Sequence, residues 1–134
     1  MRVARGLSVV SLNLLFFTAS AFAHHSFAAQ YDPAKLTQFA GTVTKVEWTN
    51  PHARFYVDVK DAQGGVTNWN FELGPPLVLR RLGWKQDSLK IGDEISVEGY
   101  LAKNGLKMAN AKKVTLPDGS SVFAGSSADG SSTR

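Results

Sequence analysis

Residues 54–60 alternate without a break between polar and apolar side chains. In an extended chain successive side chains point to opposite faces, so Phe55, Val57 and Val59 share one face while Arg54, Tyr56, Asp58 and Lys60 share the other. A period of 3.6 would scatter the same residues around a helix. Gln63-Gly64-Gly65 follows as a hairpin turn. From Val66 to Leu73 the alternation resumes, with Thr67, Trp69, Phe71 and Leu73 on one face and Asn68, Asn70 and Glu72 on the other. One hairpin with an apolar side must bury that side against more sheet, and the flanking sequence supplies it.

A first strand is expected from about Phe39 to Trp48. Val43 and Val46 are three apart, which breaks the alternation, and a β-bulge near Thr44-Lys45 restores the inward direction and curls the strand. Asn50-Pro51 ends it, because proline lacks a ladder donor. After the hairpin, Gly74-Pro75-Pro76 stops the third strand. Pro75 or Pro76 starts a short helix with Leu77, Val78, Leu79 and Leu82 on its apolar side and Gly83 at its end. A fourth strand points Ile95, Val97, Gly99 and Leu101 inward, and Asn104-Gly105 turns into a fifth from Met108 to Leu116. Pro117-Asp118-Gly119 allows one more short hairpin to Ser121–Phe123. Three strands, a short helix and two strands predict an all-β fold, a small five-stranded OB-like barrel with the helix between strands 3 and 4. An open sandwich of the same strands is the alternative.

The segment before the strands reads as an address. Arg2 and Arg5 precede an apolar stretch from Leu7 to Phe17, and Ala21-Phe22-Ala23 offers the small-x-small pattern of a signal-peptidase site. Ser8, Ser11 and Asn13 interrupt the stretch, which is shorter than the ~20 residues of a membrane span. The expected organisation is a cleaved signal peptide (1–23), an N-terminal arm (24–38), the barrel domain (39–124) and a disordered Ser- and Gly-rich tail (125–134). A periplasmic location follows, with no membrane association after cleavage. The chain carries 15 Lys and Arg against 11 Asp and Glu. Losing Arg2 and Arg5 leaves a mature net charge of only +2, which together with export argues against nucleic acid. The absence of cysteine excludes disulfides, thiolate metal sites and cysteine nucleophiles.

Chemistry-bearing residues concentrate in two places. His24-His25 opens the expected mature chain, and His52 sits in the loop between the first two strands. A freed N-terminal His offers one metal both its α-amine and its imidazole, and a second imidazole completes a nitrogen set suited to Cu(II), with zinc the second choice. His24, His25 and His52 are therefore the candidate metal ligands. An arm of about fifteen residues reaches up to ~50 Å, enough to meet His52. The plain alternative leaves the terminal histidines solvated and His52 bonded within its own turn.

A second candidate site is the face of strands 1–3, where Trp48, Asn50, Arg54 and Tyr56 stand near the same loop, beside the polar Asp58, Asn68, Asn70 and Glu72. Such a face would hold a sugar, a peptide or a periplasmic partner protein. Arg80, Arg81, Lys85, Lys112 and Lys113 read as solvated charge. No nucleophile elbow, phosphate loop or dinucleotide fingerprint is present, so the expected class is a binding protein rather than an enzyme.

The stretches HHSFAAQYDP, GTVTKVEWTNPHARFYVDV, NWNFELG, GDEISVEGY and ANAKKVTLPDG resemble domain-of-unknown-function family 6152, a group of small exported bacterial proteins. The likeness runs from about His24 to Gly125, and HHSF and TNPH are its most distinctive marks. The resemblance implies export and a small β-barrel. It carries over no catalytic residue, substrate or cofactor.

Overall fold

The computed structural model describes residues 27–126. Residues 27–30 are helical and lead into six strands and one short helix: β1 (Tyr31–Glu47), β2 (Arg54–Lys60), β3 (Val66–Glu72), α1 (Pro76–Arg81), β4 (Glu94–Ala102), β5 (Met108–Thr115) and β6 (Ser121–Phe123). The fold is mostly β, with one six-stranded sheet in the order β3-β2-β1-β4-β5-β6. Neighbours pair antiparallel, and a parallel pairing of β3 with β5 joins the order into a closed ring. Among the described residues no helix is long and apolar enough to cross a membrane.

β1 can serve two partners because it bends. It pairs with β4 from Leu36 to Thr42 and with β2 from Gly41 to Glu47. The register shifts between Val43 and Lys45, where the lost alternation places a bulge. Gly41 stands at the handover. A Cβ there would run into the Asp58 carbonyl oxygen and the Val57 side chain, so only glycine lets β2 come this close.

β1 also begins at Tyr31, well before Phe39, so half of the expected arm belongs to the sheet. The register is irregular between Tyr31 and Leu36, and that irregularity removes the period by which a strand is recognised. A second difference lies at the other end. Gly125 and Ser126 are buried rather than part of a loose tail. The Gly74 amide donates to the Ala124 carbonyl at 2.8 Å, and a Cβ on Gly74 would sit 2.9 Å from the Gly125 oxygen. The expected leader (1–23), His24, His25 and tail residues 127–134 lie outside the described residues.

The ring's interior is apolar. Val43, Phe55, Val57, Phe71, Val97 and Val114 are essentially without solvent contact, and the rings of Phe55 and Phe71 stack at 5.1 Å. Burying each large side chain contributes about 1.5–3 kcal/mol, so this core is the main term holding the ring together. α1 closes it from one side with Leu79, while the indole N–H of the buried Trp84 donates to the Phe123 carbonyl at 2.8 Å. A smaller aromatic cluster of Phe27, Tyr31 and Tyr100 forms apart from this core. The ring of Phe27 meets Tyr31 at 5.7 Å and Tyr100 edge-on at 5.4 Å. Phe71 and Ala109 face the core, so their successors Glu72 and Asn110 face outward, and Tyr100 pairs with Asn110. The small cluster therefore covers the outer face at the β3–β5 seam.

Candidate functional site

Strand pairing assembles a polar site on that outer face. Arg54 and Glu72 are direct partners across the β2–β3 hairpin. Glu72 and Asn110 are partners across the parallel β3–β5 seam. The hairpin ladder continues past the strands, because the Leu73 amide donates to the Ala53 carbonyl at 2.9 Å and the Ala53 amide to the Gly74 carbonyl at 3.2 Å. That extension holds the end of the β1–β2 loop against the end of β3. Alternation then puts His52 on the same side as Arg54 and Tyr56.

Four side chains converge on the Glu72 carboxylate. Arg54 donates through NH2 to Oε2 at 2.6 Å, and Tyr31 donates its hydroxyl to the same oxygen at 3.1 Å. Asn110 donates its amide to Oε1 at 3.4 Å, and His52 Nδ1 lies 3.4 Å from Oε1. The other arm of the Arg54 guanidinium reaches Asn70 Oδ1 at 3.3 Å. Glu72 is 7% exposed and Tyr31 1%, whereas the His52 side chain keeps 42% of its surface in solvent. The site is thus a buried carboxylate with a half-exposed imidazole at its edge.

Burial on its own would raise the Glu72 carboxyl. The contact and charge of His52, the guanidinium of Arg54 and the Tyr31 hydroxyl outweigh it, and the net shift is downward. Glu72 is therefore an anion at neutral pH. Tyr31 moves the other way: burial first, then the neighbouring Glu72 charge, push its phenol well up, so it stays a donor. Two buried polar atoms, Asn110 Oδ1 and Trp48 Nε1, have no hydrogen-bond partner.

The other expected site residues do not form one patch. Tyr56 donates to Glu47 Oε2 at 3.2 Å and lies under Lys45, whose Nζ is 5.1 Å from its ring centre. Trp48 packs against the main core, and Asn50 is exposed in the loop. Arg54 is engaged by Glu72 and Asn70. His52 reaches out of its own turn to β3. Among the described residues, no three His, Asp or Glu side chains stand together as a metal-holding group. A shallow groove lined by Ala40, Gly41, Glu94, Ile95, Thr115 and Leu116 contains none of the expected site residues.

Glu72 and Tyr31 were missed as the centre of the site. A glutamate at an outward position of a hairpin reads as solvated, and Tyr31 sits where no period is visible. One signal was available. Counting the ladder outward from the Gln63–Gly65 turn sets Glu72 opposite Arg54, and an ion pair beside a histidine loop is a better marker than either residue alone.

A family model matches residues 12–111, well over half of the chain. The chain belongs to DUF6152, a family of unknown function. The DUF6152 match covers His24, His25, the TNPH segment and the whole β2–β3 hairpin, and it reaches into β5 as far as the seam with Glu72. No curated protein matches the chain.

Proposed function

We propose that this DUF6152 protein is exported by a cleaved leader and acts in the periplasm as an OB-like barrel that binds a transition-metal ion, copper before zinc, without catalysing a reaction. The barrel reading is supported by the order of three strands, helix and two strands, and by the parallel β3–β5 pairing that closes the ring. The proposed ligands are the freed α-amine and imidazole of His24, with His52 and His25 supplying further nitrogen. Amine and imidazole donors together favour Cu(II) over hard cations. The α-amine, with an ordinary pKa of about 7.7–8.0, gives up its proton to a metal easily near neutral pH.

One observation carries this reading. The segment just after the histidine pair is seated on the carboxylate that His52 faces, since Tyr31 and His52 both meet Glu72. His24 is three residues from Phe27, a span of at most about 11 Å, and Phe27 packs on Tyr31. The described residues offer no third ligand, so the amino-terminal histidines are what the site needs. The alternative, an interaction module on the strand 1–3 face, is less well supported because Arg54 and Tyr56 are already engaged within the chain.

The test is Cu(II) titration calorimetry on protein purified from the periplasm with its native start, whose first residue is checked by Edman sequencing. Affinity is expected to fall at least tenfold on His52→Ala and again when one residue is added before His24. Equal affinity in all three proteins would overturn the metal reading.

A further inference from the structure

His52 is tied to the fold through one ring nitrogen. Nδ1 lies 3.4 Å from Glu72 Oε1, and the half-exposed ring has Nε2 as its other nitrogen. Glu72 in turn is held on its second oxygen by Arg54 at 2.6 Å and Tyr31 at 3.1 Å, and on the first by Asn110 at 3.4 Å. Building a carboxylate this deep is costly unless each of its lone pairs has a use. Three of the four partners immobilise it, and the fourth is the only one of the four with a large share of its side chain in solvent.

We infer that Glu72 is a positioning residue which accepts the Nδ1 proton of His52, fixes that tautomer and ring orientation, and so presents Nε2 outward as a metal ligand. This inference rests on the proposed metal role for its use, though the tautomer itself exists with or without metal. The chemistry is general: a ligand imidazole needs its coordinating nitrogen deprotonated, and a carboxylate on the other nitrogen both selects that form and makes the ring a better donor. Glu72 is a poor ligand itself, because Arg54 and Tyr31 already occupy the oxygen that His52 does not face. Tyr31 adds a second consequence. The same carboxylate fixes the start of β1, so it sets the loop ligand and the root of the histidine arm in one frame.

The experiment compares the natural-start protein with Glu72→Gln and with the double variant R54M/E72M. The double variant replaces both charges by apolar groups and keeps the comparison alive if the single change unfolds the chain. Long-range ¹H–¹⁵N histidine spectra of the metal-free proteins at pH 8 read the tautomer. Copper titration and the nitrogen hyperfine pattern in electron paramagnetic resonance read the site. Expected are an Nδ1–H tautomer for His52 in the natural protein, its loss in a folded variant, and a 10–100-fold weaker copper affinity with the same donor set. An unchanged tautomer in a folded variant, or an Nε2–H tautomer in the natural protein, would overturn the inference. So would a copper spectrum that loses an oxygen donor with Glu72, which would make it a ligand. If the natural protein binds no copper, the metal reading fails, and the tautomer spectra alone still decide whether Glu72 positions His52.

Discussion

The β2–β3 hairpin carries two cross-strand polar pairs on one face, and they live in different surroundings. Near the turn, Asn68 faces Asp58 and donates to its Oδ1 at 2.7 Å and to Thr44 Oγ1 at 3.0 Å, all in solvent. Two pairs further along, Arg54 faces Glu72 with the same ladder geometry, but Tyr31 and Phe27 come over that end with Tyr100. The strands are the same, and the cover differs. An exposed pair competes with water and contributes little. A covered pair has no water to fall back on, so every partner of Glu72 becomes structurally significant.

If that contrast is right, the largest effect comes from Arg54→Ala. It strands a buried carboxylate and is expected to remove about 3–5 kcal/mol, read as a lower urea midpoint. R54M/E72M should recover most of that loss, and a double variant as unstable as the single one would break the comparison.

Acid should act on the same carboxylate. The folded Glu72 titrates below its ordinary value of 4.5, so its contribution is fully present above that value and is lost as pH falls through the lower folded one. The natural protein should therefore lose stability on acidification more steeply than Glu72→Gln, with melting temperature against pH as the measurement. Parallel curves would mean that the carboxylate is not held as an anion.

Tyr31→Phe keeps the aromatic packing and removes one donor to a charged acceptor. A loss of about 1.5–3 kcal/mol is expected, with the first residues of β1 exchanging their amide protons faster. Asn68→Ala should cost no more than about 0.5 kcal/mol, because water replaces its bonds. A cost for Asn68→Ala equal to that for Tyr31→Phe would show that cover is not what separates the two ends.

Much of this architecture was legible beforehand. Phe55, Val57 and Phe71 announce the inner face by alternation, Val43 and Val46 announce the bulge, and Asn104-Gly105 announces its turn with Gly105 at φ 76°. These signals are local, being written in spacings of two or three residues. His52 was also picked out, from its residue type and its loop. The span Tyr31–Gln38 was read as an arm because its ladder to β4 is irregular. The burial of Gly125 and Ser126 was missed because it depends on Gly74, half the chain away.

The sequence by itself determined the strands, their inward faces and most of the turns, since each follows from the chain's own period and from the backbone freedom of a few Gly and Pro residues. Only the tertiary structure decided that Tyr31, His52, Arg54 and Asn110 meet on Glu72. Those residues come from four separate stretches of chain, and they meet because the ring closes between β3 and β5 and an aromatic lead-in settles over the seam. Closure is a long-range event, and no spacing along the chain encodes which outward side chain it will bury.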